Sequence, residues 1–420
     1  MTALAAIRDG RLIDRRLLDE GPLARALQAL DGAGEETRLV GGAVRDLALG
    51  EKAGDYDLAT TALPEDVMRR ARAAGIRVVP TGLAHGTVTL VLERRPIEVT
   101  TLRRDVATDG RHATVAFGRD FRADAQRRDF TINALSLGRD GQVHDYVGGL
   151  ADLAARRVRF IGDPAQRIRE DYLRILRFFR FSARYGVGAL DAEGLRATIA
   201  ERGGLAILSR ERVRAELLKL LAARRAGEIV AAVCEAGLLN PLLAGQTYAA
   251  RLARLIAIES RHAGAPDPLL RLAALGVVIE EDTERLRERL RLSNAEFERL
   301  AVLAQALPGL HGTSVPPPFG ALRALLFERR RRGALDALMI AHADSGAPAD
   351  DLRFENAYRF LNETPEPSFP ITGADLLARG VAHGRQLGET LKTLQALWIR
   401  AGFPREPEVL ARLLDEALRD

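Results

Sequence analysis

The rhythm of apolar and polar positions changes near residue 150. Before that point, short runs alternate with period two or are β-branched: Arg38–Val40, Ile76–Val79, Gly86–Leu92, Pro96–Leu102 and Val143–Tyr146 predict strands. Tyr56 and Leu58 flank Asp57 in a further predicted strand. Between these lie helical patterns at Pro22–Leu30, at Val44–Leu49 (ended by Gly50) and at Pro64–Ala74. In the last, Pro64 suits the first turn, Val67, Ala71 and Ala74 share a face, and Gly75 is the stop. Polar, glycine-bearing Arg104–Phe121 reads as a loop, and Phe130–Leu135 as a helix. Such interleaving predicts an α/β unit whose strands and helices shield each other's apolar faces.

From Asp163 the period becomes helical. Asp163 is a cap and Pro164 a first helical residue. Ile168, Tyr172, Ile175, Phe179 and Ala183 then form one apolar stripe, predicting a single long helix. Further helices are expected at 205–223, 226–235, 249–259, 268–275, 283–290, 294–307, 320–327, 374–379, 387–400 and 407–418. Pro316–Pro318 and Asp344–Asp350 mark breaks, and Thr364–Pro370 reads as an extended connector.

Composition narrows the picture. At 420 residues the chain has room for roughly two to four domains. Only three of its 62 basic residues are lysine (Lys52, Lys219 and Lys392), and the net charge of +5 favours a polyanionic partner weakly. Cys234 is the only cysteine and reads as a buried thiol within Ile229–Cys234. No apolar stretch nears the roughly 18 residues of a membrane span, and no signal-peptide pattern opens the chain. The expectation is therefore a cytoplasmic protein with no membrane association and no obligate protein partner.

The densest chemistry lies early. Asp55 and Asp57 follow Gly41-Gly42-Ala-Val-Arg45-Asp46, all within 17 residues. In an extended segment the two carboxylates point the same way, repel, and need a cation between them; hard oxygen ligands suit Mg²⁺. Glu98, between apolar Ile97 and Val99, would face the open side of the sheet as a supporting carboxylate. Gly41 and Gly42 open a helical turn whose free N–H groups suit phosphate, and Arg45 suits a phosphate oxygen pair. Two bridged cations beside a triphosphate are the machinery of nucleotidyl transfer.

Two more clusters follow. Arg127-Arg128-Asp129-Phe-Thr-Ile-Asn133 sets basic groups beside a carboxylate and an amide, a set that suits triphosphate and ribose. Arg167, Asp171, Arg174 and Arg177 are three or four residues apart, near one face of the predicted helix, where an acceptor and donors meet the edge of a base. The alternative for that set is an intrahelical salt bridge on a wet face. Neither Gly-x-x-x-x-Gly-Lys-Ser/Thr nor Gly-x-Gly-x-x-Gly occurs, the seven histidines are scattered without zinc spacing, and no serine has nucleophile-elbow context.

Taken in order, Gly41–Asp46 with Asp55-Tyr-Asp57, Arg128–Asn133, and Glu170-Asp-Tyr-Leu-Arg174 with Ile175–Arg180 resemble the class II tRNA nucleotidyltransferases, a family that includes CCA-adding enzymes and bacterial poly(A) polymerases. Asp105–Val115 resembles that family's flexible loop. The resemblance is specific from about residue 38 to 186 and loose beyond. It implies an α/β nucleotidyltransferase head with a mixed β-sheet and helices, followed by a mostly α-helical neck, body and tail. The corresponding spans are 1–150 for the catalytic head, 151–222 for a neck with base recognition, 223–315 for the body and 316–420 for a tRNA-binding tail. It also implies Asp55 and Asp57 as Mg²⁺ ligands, Asp171, Arg174 and Arg177 as base readers, and addition of C, C and A to a tRNA 3′ end from CTP and ATP. Addition of A alone, poly(A) synthesis, and an inactive RNA-binding scaffold are the competing readings.

Overall fold

The computed structural model describes Leu4 and residues 6–108, 113–262 and 264–418. They fall into two compact units: residues 1–212 with Ala223–Arg225, and Val213–Ala222 with residues 226–420.

The first unit is built on a seven-stranded sheet. Its strands run in the order Val143–His144, Ser136–Gly138, Thr37–Val40, Tyr56–Thr60, Arg95–Thr101, Thr87–Leu92 and Arg77–Gly82. Every neighbouring pair is antiparallel except Tyr56–Thr60 with Arg95–Thr101, so the sheet is mixed. Side chains alternate across a sheet, and two adjacent cross-strand rows make the consequence plain. Leu137, Leu39, Leu58, Val99 and Val88 stand side by side, each at most 1% exposed. Helices Gly21–Leu30 and Pro64–Ala73 pack against the sheet through buried Leu23, Leu27, Val67 and Ala71. The next row, on the opposite face, is Ser136, Val40, Asp57, Glu98 and Thr89. There Val40 joins Ala59, Leu102 and Phe121 in a small apolar cluster, while Asp57 and Glu98 stay exposed.

In this unit three sequence expectations change. Arg104–Phe121 is not a loop: Arg103–Thr108 pairs with Ala113–Phe117 as an antiparallel hairpin, and helix Phe121–Gln126 follows. The centre of the expected flexible segment, residues 109–112, lies outside the described residues. Phe130–Leu135 forms only a 3-10 turn, Thr131–Asn133, leading into strand Ser136–Gly138. The long helix after Asp163 is two helices, Pro164–Glu170 and Leu173–Tyr185, with Asp171 extended between them (φ −157°, ψ 103°).

The second unit is helical. Helices Ala226–Glu235, Ala249–Glu259, Pro268–Gly276, Glu280–Leu290, Asn294–Ala306, Phe319–Ser345 and Leu352–Glu363 precede Gly373–Leu377, Arg385–Arg400 and Pro407–Ala417. Side-chain caps fix several starts: Asp267 and Asp351 accept first-turn N–H groups, and Ser293 with Glu296 forms a capping box. Phe319–Ser345 extends far beyond the expected 320–327 and is kinked at Arg330 (φ 58°, ψ 168°). The last three helices share their own core of Leu376, Leu394, Leu397 and Leu414. Cys234 is half-buried rather than buried, with its Sγ 3.3 Å from Thr247 Oγ1. No helix among the described residues is long and apolar enough to cross a membrane.

Candidate active site

The acidic pair begins at the edge of a strand. Tyr56 starts the strand and Asp55 sits in the bend before it, so strand periodicity does not set the direction of Asp55. Asp57 is the register partner of Glu98 on the neighbouring parallel strand, which turns both carboxylates to one face. Flanking Ile97 and Val99 are fully buried, so alternation leaves Glu98 outward. Asp57 titrates above the ordinary carboxylate value. Its desolvation is the largest cause and the charge of Glu98 the next; Asp55 adds a smaller push, which Arg128 opposes.

The glycine turn and the arginines lie alongside. Gly41 has φ +71°, and a Cβ there would come within 2.9 Å of Arg128 Nη1, so glycine both permits the turn and lets the guanidinium approach. Helix Gly42–Ala48 carries Arg45, which is buried. Its Nε donates to Asp46 Oδ1 at 2.9 Å and its Nη1 to Asn133 Oδ1 at 2.5 Å. The guanidinium also lies 4.0 Å from the Tyr185 ring centre.

In the second cluster the charges pair tightly. Arg128 donates to Asp124 Oδ2 through Nε (3.1 Å) and Nη2 (3.0 Å), and Arg127 binds the other oxygen of Asp124. Asp129 is buried; it accepts from Asn133 Nδ2 (3.0 Å), from the Phe130 N–H (2.9 Å) and from Arg177 Nε (2.7 Å). Burial alone would raise its pKa, but the Arg177 charge and these hydrogen bonds prevail and hold it below the ordinary value. Phe130 and Ile132 are core, as expected.

The third cluster straddles the helix break. Asp171 Oδ1 accepts from the Leu173 N–H (3.1 Å) and Oδ2 from Arg212 Nη2 (2.7 Å), so this short acid ends one helix and starts the next. Arg174 Nη1 donates to the Arg167 carbonyl at the end of the first helix (2.7 Å) and to Glu170 (2.6 Å). Tyr172 packs against Gly204, where a Cβ would stand 1.9 Å from its ring. Arg167 donates to the carbonyls of Ile161 and Gln126 and, with Arg174, to Glu170 Oε2 (2.8 Å), so part of the expected intrahelical salt bridge is present. The break nevertheless removes the expected single helical face.

Even so, the three clusters meet. A cavity of about 490 Å³ is lined by Gly41, Gly42, Arg45, Asp57, Arg128, Asp129, Asn133, Asp171, Arg174 and Arg177. That volume lies within the usual range for a small-molecule site. Asp55 and Glu98 are not among its lining residues. Arg180, Phe181, Arg184 and Tyr185 complete the lining and were missed. Their signal is the continuation of the Arg174/Arg177 spacing along the same helix. The lining is strongly cationic, suited to a polyanion.

A divalent cation fits the acidic edge as a partial site. Asp57, held above its ordinary pKa by desolvation and then by the charge of Glu98, forms with Asp55 and Glu98 an all-oxygen set of hard donors. Among the described residues no three His, Cys, Asp or Glu side chains converge tightly enough to hold an ion alone. Mg²⁺ commonly takes one or two carboxylates and completes its shell with water and substrate phosphate.

Residues 37–159 match the family described as "Poly A polymerase head domain", and residues 190–249 the one described as "Probable RNA and SrmB- binding site of polymerase A". The chain is 35% identical over 383 residues to the Mus musculus protein named CCA tRNA nucleotidyltransferase 1, mitochondrial, covering 89% of this chain and 85% of that one. It is 31% identical over 406 residues to the CCA-adding enzyme of Levilactobacillus brevis, covering 95% and 99%. A solved structure of the Bacillus stearothermophilus CCA-adding enzyme in complex with CTP, 28% identical, matches with a TM-score of 0.71 over 94% of this chain and 96% of that one.

Proposed function

The chain belongs to the CCA tRNA nucleotidyltransferase family, and from that premise we propose that it adds C, C and A to the 3′ end of tRNA from CTP and ATP, without a nucleic-acid template. The observation that carries this reading is the meeting of all three motif clusters in one cationic cavity with Asp57 on its wall. The CTP complex of the similar Bacillus enzyme agrees with a nucleotide as the occupant.

In each addition the tRNA 3′-oxygen attacks the α-phosphorus, a new P–O bond forms, and the bond to pyrophosphate breaks. Asp55 and Asp57 would hold Mg²⁺, with Glu98 in support; when bound, the cation supplies Lewis acidity for the attacking hydroxyl and charge for the leaving pyrophosphate. Gly42 offers a backbone N–H group to the triphosphate, while Gly41, whose own N–H donates to the Leu135 carbonyl at 3.1 Å, shapes the turn beside it; Arg45 and Arg128 offer guanidinium charge. Asp129 and Asn133, toward the ribose, hold base-side Arg177 and phosphate-side Arg45 in place. Asp171, Arg174 and Arg177 read the base edge: an acceptor and donors on side chains are matched to CTP and ATP in turn.

The same reading assigns catalysis to a head of residues 1–150, base recognition to a neck of 151–222, and tRNA gripping by shape and phosphate contacts to a body of 223–315 and a tail of 316–420. It places the enzyme in the cytoplasm.

The test supplies purified protein, Mg²⁺ and tRNAs lacking their last three, two or one nucleotides, with CTP and ATP separately and together. CMP and AMP incorporation restoring the full 3′ end is expected. A product extended only by A would make this an A-adding enzyme, long A tails on unrelated RNA would make it a poly(A) polymerase, and no incorporation would leave an RNA-binding scaffold. In the same assay Arg174→Ala disturbs CTP and ATP use while folding is preserved; unchanged use of both removes Arg174 from base reading.

A further inference from the structure

Helix Leu173–Tyr185 touches the site twice. Arg177 near its start binds Asp129, and Tyr185 at its end donates from Oη to Asp46 Oδ1 at 3.0 Å. Those two positions are eight residues, about 12 Å, apart along the helix axis. Between them runs an unbroken path through other elements. Asp46 Oδ1 also accepts from Arg45 Nε at 2.9 Å, Arg45 Nη1 donates to Asn133 at 2.5 Å, Asn133 Nδ2 donates to Asp129 at 3.0 Å, and Asp129 accepts from Arg177 at 2.7 Å. The path leaves the helix at Tyr185 and returns to it at Arg177: it is a closed ring.

Three features make the ring more than packing. Tyr185 is 2% exposed, so its hydroxyl needs a buried acceptor, and it takes one that already holds an arginine. Both oxygens of Asp129 and both amide atoms of Asn133 are used inside the ring, so these side chains act on a ligand through the arginines they hold. Arg45 also lies against two rings, 4.0 Å from the centre of Tyr185 and 5.3 Å from that of Phe181.

We propose that Tyr185 is a positioning residue for nucleotide use, its hydroxyl closing a ring that fixes phosphate-side Arg45 and base-side Arg177 as one unit. This rests on the assignment of the cavity to a nucleoside triphosphate. Burial is the main force that pushes Tyr185 up to about 12; the charge of Arg45 pulls the other way and that of Asp46 adds to the rise. The hydroxyl therefore remains a donor across the neutral range.

Tyr185→Phe keeps the ring face over Arg45 and removes only the hydrogen bond. In steady-state assays on truncated tRNA, kcat/KM for CTP and for ATP should fall about tenfold, mostly through KM, the scale of losing a hydrogen bond to a charged group. The thermal midpoint should move by no more than a few degrees. The decisive measurement is a double-mutant cycle of Tyr185→Phe with Arg177→Met. Both residues also touch Phe181, but Tyr185→Phe keeps that ring contact, so without a route through the hydroxyl the two losses multiply. A closed ring makes the double variant little worse than the poorer single one. Losses that multiply, or wild-type constants in Tyr185→Phe, overturn the proposal while leaving the activity assignment intact. A wild-type protein that incorporates neither CMP nor AMP overturns that assignment, and the proposal with it.

Discussion

Two aspartates on the wall of one cavity are treated in opposite ways. Asp57 is exposed, faces Glu98 across the sheet, and is raised by its desolvation and then by its acidic neighbours. Asp129 is buried and accepts three hydrogen bonds, one from a guanidinium, which holds it low. Burial costs a charge unless the charge is paired, so Asp129 is a finished structural element. Asp57 is unfinished: the fold supplies negative charge and leaves its neutralisation to something that binds. The contrast separates residues that await a ligand from residues that aim other residues, a distinction that residue type alone does not make.

The sharpest way to break this comparison is to neutralise each acid without changing its shape. Asp57→Asn should reduce nucleotide incorporation by about a thousandfold or more, the scale of deleting a principal electrostatic group from an active site. Its thermal midpoint should not fall, because the change removes an uncompensated charge. An Asp57→Asn protein that still turns over would end the assignment of this edge to catalysis; one that unfolds early would make Asp57 structural, like its counterpart.

Asp129→Asn should do the reverse. It leaves Arg177 and Asn133 without their shared acceptor charge, which in a buried pair costs about 3–5 kcal/mol. The Arg177 side chain is 30% exposed, so water recovers part of that, and about 2–3 kcal/mol is expected from urea unfolding at neutral pH. Stability equal to wild type would mean that the ion pair contributes nothing and that Asp129 is no more finished than Asp57.

How far this contrast could be read from sequence depends on the range of the forces involved. Glu98 was legible because two buried neighbours fix its direction by alternation. The two covering helices and the sheet's strands other than Ser136–Gly138 were legible from similarly local patterns. The hairpin Arg103–Phe117 was not, because its segment offers little alternation against a polar background. Nor was the break at Asp171, where the apolar stripe from Ile168 to Ala183 continues in phase. What stops the helix is tertiary: Arg212 holding Asp171, and Tyr172 seated on Gly204. The cavity still gathers Asp171 with Arg174 and Arg177, although the single-helix argument for grouping them fails. Arg180, Phe181, Arg184 and Tyr185 belong to the same lesson: an aromatic residue stacked on arginine is indistinguishable in sequence from one stacked on leucine.

The smallest effect is the most discriminating, because it differs in sign between the two acids. Asp129 has a folded pKa below its unfolded value of about 3.9. Its contribution to stability is therefore present above that pH and is lost as the pH falls through the lower folded value. For Asp57 in metal-free protein the folded pKa is raised, so its contribution is present below about pH 3.9 and is lost as the pH rises through the folded value. Urea midpoints measured in chelator between about pH 3 and pH 6, bracketing that unfolded value, read both terms. Wild type minus Asp129→Asn should rise with pH, and wild type minus Asp57→Asn should fall. Adding Mg²⁺ should flatten or reverse only the second slope, since a cation beside Asp57 favours its ionised form. Two slopes of the same sign would mean that the acids share one environment, and the division between a finished and an unfinished carboxylate would not hold.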